Sequence, residues 1–372
     1  MKLVMVGPVP PPLGGISIHI RRLSERLRAE GMECVIYNEA NRADDALQAQ
    51  PIGSYKKLLL LLPFIRGDLF HFHSIDARIR MLLGAYKAFG KKIVLTIHGD
   101  SLALQLNQAR PLARSLLLGS LKRLDYIVCV NEATTRMLLE FGFEPSRVGT
   151  IPAYIHPVER SADALKIPAE VHRFMAGEDF LISANGFVRL MEQGDLYGLD
   201  LLVELMRTLS DQGLPARLLF AMLGASEQSP DERAYYGLIQ QRVRAYGLSD
   251  NVYFYEASDT EFYPILQESS LFIRPTRLDG YGVSIAEALH YQVPAIASDV
   301  CKRPEGTLLF RSGDLQELVL RVRETMQEYG RCKREAVSRM VDDYAADVMA
   351  IYNQISGVSV PAERKVITRA NR

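Results

Sequence analysis

Short apolar runs alternate with longer amphipathic segments along most of the chain. In the first half, strand-length runs at Leu3–Gly7, Cys34–Tyr37, Leu69–Phe72, Ile93–Ile97, Tyr126–Val130 and Val148–Ile151 predict β-strands. Between them lie helical patterns such as "ISIHIRRLSERLRAEG", where Ile16, Ile20, Leu23 and Leu27 share one face and Gly31 stops the helix. The second half repeats the scheme, with strands predicted at Phe180–Ala184, Leu218–Leu223, Val252–Tyr255, Leu271–Arg274, Ala295–Ser298 and Thr307–Phe310. Its helices are predicted over Leu199–Ser210, Glu232–Tyr246, Glu261–Gln267 and Leu315–Gln327. Short strands that read as continuous apolar runs, separated by helices, point to parallel, doubly wound sheets.

The two halves are joined by "IPAYIHPVERSADALKIPAEV", a polar, proline-punctuated stretch that reads as a linker. This gives an N-terminal Rossmann-like domain over 1–160 and a second over 170–335. The amphipathic run "RMVDDYAADVMAIYNQI" predicts a final helix within 336–356, and 357–372 reads as a flexible tail. Two such domains side by side place the carboxyl ends of their strands on the walls of one cleft, where ligands bind in sheets of this kind.

Bulk properties narrow the choice. At 372 residues the chain is too long for one comfortable core. Lys+Arg and Asp+Glu both total 44, so nothing in the charge balance calls for a nucleic-acid partner. Cys34, Cys129, Cys301 and Cys332 form no C-x-x-C pair and read as reduced, structural thiols of a cytoplasmic protein. The start "MKLVMVGPVPPP" lacks the apolar core of a signal peptide, and "LLLLLPFI" falls far short of the ~20 residues that span a bilayer. The segment "SYKKLLLLLPFIRG" has two readings: a buried helix, or a basic-apolar patch (Lys56, Lys57, Arg66) that docks on the inner face of the cell membrane.

Candidate chemistry concentrates where strands are expected to end. "VGPVPPPLGGISIHI" sets Gly14 and Gly15 at the start of the first helix, where free amide groups and small residues admit a phosphate or sugar. It is not a G-x-G-x-x-G fingerprint, and only Glu39 could act as the ribose acid that such a fingerprint requires. "LTIHGD" sets His98 just past a buried strand, and "FHFHS" aligns His71 and His73 on one strand face. That pair suits packing or support of a neighbour better than zinc. The strongest signal is "PTRLDGYGVSIAEALHYQVPAIASD". There the amides of Tyr281, Gly282, Val283 and Ser284 open a helix behind Gly280, with Asp279 in the loop before it and Glu287 about one turn inside. Two carboxylates so placed can each take paired hydroxyls on either side of a diphosphate.

That stretch resembles the signature of the retaining GT-B glycosyltransferases of family four (glycosyl transferases group 1), P-[ST]-x-x-E-G-[FY]-G followed by Glu-Ala-[LM]. The "GG" turn, "DLFHFHS", "VLTIHGD", "IPAYI" and the last helix follow in the same order, so the resemblance spans nearly the whole chain. It implies a GT-B fold: two Rossmann-like domains facing across a cleft, with the C-terminal helix returning to the first. It also implies that Asp279 meets the donor sugar, Glu287 its ribose, Gly14 and Gly15 the diphosphate, His98 the reacting face of the sugar, and Arg189 the diphosphate. Departures are Asp279 where Glu is usual, Tyr197 where a Lys precedes Gly198, and Gln292 in place of a small residue. Arg274 and Arg277 are the cations at hand to fill the gap.

The resemblance implies retaining, metal-independent transfer from a nucleotide sugar, which is a substrate and not a cofactor. UDP-sugars are favoured over GDP-sugars. The acceptor is a glycan or lipid-linked hydroxyl in surface polysaccharide or glycolipid synthesis, and the protein a monomer or homodimer. The leaving phosphate takes the acceptor proton, so the two acids position groups and do not act as a hydrolase pair. Alternatives on the same fold are a sugar-nucleotide epimerase, a phosphorylase, or a subunit that binds sugar nucleotides without turnover.

Overall fold

The computed structural model describes residues 1–11, 13–191, 194–257, 260–337 and 341–357. They form two compact units, one of Met1–Ile155 with the residues from Asp343 on, the other His156–Asp342. The first is built on β1 Lys2–Gly7, β2 Glu33–Asn38, β3 Ala49–Pro51, β4 Leu69–Phe72, β5 Ile93–Ile97, β6 Tyr126–Cys129 and β7 Val148–Thr150, in the order β3-β2-β1-β4-β5-β6-β7. Every neighbouring pair is parallel, with Leu3 opposite Leu69 and Val6 opposite Phe72 across the central pair. Successive residues of each strand supply opposite faces. Val4, Val6, Phe70, Phe72, Ile93 and Leu95 pack one helical layer, while Leu3, Met5, Leu69 and Val94 pack the other. The winding direction reverses between β1 and β4, which opens a crevice at their carboxyl ends.

The last helix, Ala345–Ser356, belongs to this first unit. Its Val348, Ile351 and Tyr352 lie in the same cluster as Leu3, Ile20, Leu27 and Ile36, and Arg26 meets Asp343 at 2.7 Å. It begins at Ala345, not at Arg339 as the apolar spacing suggested; Val341–Asp343 is not helical, and Arg339 and Met340 lie outside the described residues. The expected flexible tail from Val358 also lies outside them.

The second unit carries β8 Phe180–Gly186, β9 Leu190–Met191, β10 Gly194–Asp195, β11 Ala216–Leu223, β12 Val252–Ala257, β13 Leu271–Arg274, β14 Ala295–Ser298 and β15 Leu308–Phe310. Its parallel sheet runs β12-β11-β8-β13-β14-β15, and β9 with β10 forms a small antiparallel ribbon. Two expectations are corrected. The supposed linker holds the helices Ser161–Leu165 and Ala169–Met175, because Ile167, Val171 and Met175 are buried. The leucine run after Lys57 does form a helix, but it buries one face alone: in Tyr55–Leu61 and the turn Leu62–Phe64 only Leu58 and Leu62 are buried, while Leu60 and Phe64 are 74% and 80% exposed.

One close approach in the first unit fixes a residue type. Gly84 donates its amide to Ser120 Oγ at 2.8 Å, and a Cβ at Gly84 would lie 2.5 Å from the Ser120 carbonyl oxygen and 2.8 Å from its Cα. Backbone cannot swing aside as a side chain can, so Gly84→Ala is expected to cost about 2 kcal/mol, read as a lower urea midpoint at unchanged slope.

Candidate active site

In the second unit, the loop Pro275–Gly282 leaves the carboxyl end of β13 and feeds the helix Val283–His290. Gly282 caps that helix in the left-handed region (φ 90°, ψ 64°), so the first-turn amides of Val283 and Ser284 have no carbonyl one turn back. Asn185, at the end of β8, donates Nδ2 to Ser284 Oγ at 3.0 Å and tethers the helix start to the sheet. Glu287 is buried on this helix, 4% exposed.

Asp279 is the most constrained group of the loop. Its Oδ2 accepts from Arg274 Nε at 2.5 Å and from Arg303 Nη1 at 2.7 Å, and its Oδ1 accepts from the Gly280 amide at 2.9 Å. Burial opposes its ionisation, but the two guanidinium groups outweigh burial and hold the carboxyl well below the usual carboxylate range. Arg303 was not among the residues singled out from sequence. Its side chain is 1% exposed and also donates to the Ser298 carbonyl at 2.9 Å and to the Thr276 and Ser298 hydroxyls at 3.0 Å. A basic residue shortly after a strand's carboxyl end was the signal available for it.

The other expected cations are also paired. Arg189 Nη1 reaches both oxygens of Glu232 at 2.8 Å, and Glu232 is itself fixed in a capping box with Ser229 at the start of the helix Pro230–Ala245. Arg277 Nη2 lies 3.4 Å from Asp200 Oδ2, and its Nε donates to the Asp195 carbonyl at 3.2 Å. Tyr197 stands at the position where the family resemblance places a lysine. Its ring packs on Gly186, where a Cβ would come within 2.4 Å of it, and the Arg274 guanidinium lies 5.6 Å from the ring centre. The cation at this spot therefore comes from Arg274, tied to Asp279 and stacked on Tyr197. Asp195, fully buried, accepts from the amides of Leu199 and Tyr197 and so shapes the turn that carries Tyr197. Burial pushes its carboxyl up to about 6, against those donors.

In the first unit the carboxyl edge gathers histidines. Gly14 caps the helix Gly15–Ala29, and a Cβ at Gly15 would meet nothing within 4 Å, so no packing demands glycine there. His19 of that helix, His73 after β4 and His98 after β5 form a near-regular triangle with ring centres 5.3, 5.4 and 5.5 Å apart. His71 lies beneath, 4.0 Å from the His73 ring, bonded to Tyr352 Oη at 2.5 Å and Thr96 Oγ1 at 2.7 Å. Among the described residues no group of three or more His, Cys, Asp or Glu side chains is arranged to hold a metal ion. Burial lowers His19 to about 4, its bond to the Ala153 carbonyl opposing, and holds His71, His73 and His98 well below their ordinary value. Glu39 behaves oppositely: burial raises it to about 7, against a hydrogen bond from Ser74.

Two parallel-sheet Rossmann-like units define the class: the α/β fold of GT-B glycosyltransferases. Residues 13–157 match the family model described as Glycosyltransferase Family 4, and 186–328 match that described as Glycosyl transferases group 1. Together they cover more than half of the chain, which belongs to this glycosyltransferase family. Solved structures repeat the fold. A glycosyltransferase from Rickettsia africae is 14% identical with a TM-score of 0.68, over 96% of this chain and 100% of that one. The sucrose-phosphate synthase of Thermosynechococcus elongatus is 18% identical with a TM-score of 0.65, over 96% and 100%. HepE of Anabaena, solved with UDP-glucose, is 14% identical with a TM-score of 0.66, over 96% and 99%. The curated proteins contain no match by sequence.

The histidines set an acid limit on the first unit. Their folded values lie below the unfolded ~6.5, so the stability they contribute is complete above that pH and declines as pH falls toward about 4, the value of His19. Each contributes a slope of up to ~1.4 kcal/mol per pH unit, and Glu39 tilts the balance the other way between its unfolded value and about 7. A thermal melt is expected to lose Tm progressively between pH 6.5 and 4.5. Replacing His19 and His71 by Phe and Asn should flatten that dependence.

Proposed function

We propose that the protein is a retaining, metal-independent glycosyltransferase that moves a hexosyl group from a nucleoside diphosphate sugar to a hydroxyl of a glycan or lipid-linked acceptor. UDP-sugars are the favoured donors and GDP-sugars the second choice; HepE, solved with UDP-glucose, lends weight to the first. The observation that carries this reading is one loop and helix start: Asp279 before the Gly282-capped helix and Glu287 inside it, with Arg274 alongside. In that arrangement the diphosphate lies against the Val283 and Ser284 amides, its growing charge met by the helix end and by Arg274. Arg189 and Arg277 exchange part of their bonds to Glu232 and Asp200 for phosphate oxygens. Glu287 takes the ribose hydroxyls. Asp279 offers the spare lone pair of Oδ1 to the sugar while Oδ2 stays with the arginines. Gly14 and Gly15 leave room for phosphate and sugar, and His98 borders the reacting face. The departing phosphate takes the acceptor's proton.

Because Asp279 is spoken for by two arginines, a subunit that binds sugar nucleotides without turnover is the competing reading. Incubation with labelled UDP- and GDP-sugars and glycan or polyprenyl-linked acceptors is expected to give transfer. Tight nucleotide binding with neither transfer nor hydrolysis would select the competitor. Glu287→Ala and Glu287→Gln should weaken UDP or GDP binding about 10- to 100-fold, the scale of hydrogen bonds to a charged group. Asp279→Glu should keep transfer or change the preferred sugar.

The first unit also offers a surface for a lipid-linked acceptor. Leu60, Phe64, Phe89, Leu112 and Leu116 are each more than half exposed on the outer side of one helical layer. Lys56, Lys57, Arg66, Arg110 and Arg114 are exposed among them. No helix among the described residues is long and apolar enough to cross a membrane. The reading is a peripheral site for the inner, anionic face of a cell membrane. Flotation with vesicles containing phosphatidylglycerol should carry the protein to the top at low salt. Phe64→Ser with Lys56→Glu should leave it at the bottom, and a wild-type protein that stays down would refute the surface.

A further inference from the structure

We infer that His73 is a positioning residue: it fixes the tautomer of His98, leaving His98 Nδ1 as a bare hydrogen-bond acceptor. Its functional meaning rests on the proposed contact between His98 and the transferred sugar; the tautomer itself does not.

The ordering of these rings starts at a carbonyl. His19 Nδ1 lies 2.8 Å from the Ala153 oxygen, which can only accept, so Nδ1 carries the proton of that ring. Burial keeps His19 neutral near pH 7, so its Nε2 is a bare lone pair, buried and without a partner. The neighbouring His73, with no exposed surface, has an Nε2 that is likewise buried and without a partner, while its Nδ1 lies 3.1 Å from His98 Nε2. His73 has two neutral forms. With its proton on Nδ1, two bare lone pairs on neighbouring rings would be buried with no donor for either, which is costly. With its proton on Nε2, a donor stands in the same pocket as the His19 lone pair, 5.3 Å from ring centre to ring centre. The two nitrogens are not bonded to each other, but the second form sets an N–H beside the buried His19 lone pair where the first would set another lone pair, and is the lower in electrostatic energy.

In that form His73 Nδ1 has no hydrogen, so the 3.1 Å bond must be donated by His98 Nε2. A neutral imidazole holds one N–H, and His98 Nδ1 is left bare. His71 leaves this result unchanged, because both its partners, Tyr352 and Thr96, are hydroxyls that give or take as needed. His98 so held accepts a hydrogen bond from a sugar hydroxyl and has no proton on Nδ1 to hand to a leaving phosphate. The relay runs from a backbone carbonyl to His19, by ring proximity to His73, and by a hydrogen bond from there to His98.

Nitrogen-15 NMR of the full chain, labelled at its seven histidines and assigned by single substitutions, reads the tautomers directly. The expected result is a protonated Nε2 and an unprotonated Nδ1 on His98, with His19 in the opposite form. His73→Phe should mix the His98 tautomers and lower kcat for sugar transfer about tenfold, the scale of one mispaired hydrogen bond, with UDP affinity unchanged. His73→Asn, whose Oδ1 stands near the place of the lost Nδ1 acceptor, should restore both the tautomer and most of kcat. A protonated Nδ1 on wild-type His98, or a tautomer untouched by His73→Phe, would overturn the assignment. If the tautomers follow the prediction while no nucleotide sugar supports transfer, the relay stands and the transferase reading falls.

Discussion

The two large sheets are parallel and covered by helices on both faces, and that constraint decides where everything else in each unit sits. A parallel strand can be joined to the next only by a crossover, and the crossover buries a face. Polar chemistry is then concentrated at the strand ends, with the bonded pair His71 and Thr96 among the few polar side chains buried inside strands. His73 and His98 follow β4 and β5 directly, and Asn185, Arg274 and Ser298 close β8, β13 and β14. The carboxyl edges hold these side chains in fixed relation because the strands beneath them cannot slide: a slip of one residue would turn the apolar set of each strand onto the wrong helical layer.

At the edge of the second sheet, the ion pairs are arranged by reach. A shorter acid than the family norm sits between two guanidinium groups, one of them entirely inside the protein. A buried ion pair stabilises only when its remaining hydrogen bonds are met. Arg303 meets that condition through Ser298 and Thr276, as Arg274 does through Asn185 at 3.5 Å. The loop that faces the helix start is therefore anchored to β14 as well as to β13. The Arg274 guanidinium lies 5.6 Å from the centre of the Tyr197 ring, so the two are held as one unit at the edge of the sheet.

Much of this was legible in the chain, and what was not shares one physical cause. Strands buried on both faces announce themselves as apolar runs, and the helix Leu315–Gln327 is found with the ends its spacing predicted. β3 escaped notice because only Ala49 of its three residues is buried, and β9 and β10 are two residues each. The helix Tyr329–Val337 was missed because its buried side is no more than Cys332 and Ala336. Glycine, acid and helix signals marked the loop at Asp279 because they are neighbours in sequence. The clamp on Asp279 joins positions 24 apart, and the bond that orients His19 joins positions 134 apart. No local pattern encodes contacts of that range; only the topology brings them together.

The last helix has a consequence for how the molecule is made. Residues on both sides of the second unit build the first: Tyr352 closes the layer over Leu3 and Cys34, and the Tyr344 amide donates to the Tyr154 carbonyl at 3.3 Å. On the ribosome, the first unit emerges early yet lacks one wall of its core until residue 352 has cleared the exit tunnel. The second unit is complete within one continuous stretch and can reach its native packing first. A nascent chain in that interval carries an open apolar seam beside β1 and β2, so chaperone demand during synthesis should follow the last helix more than the length of the protein.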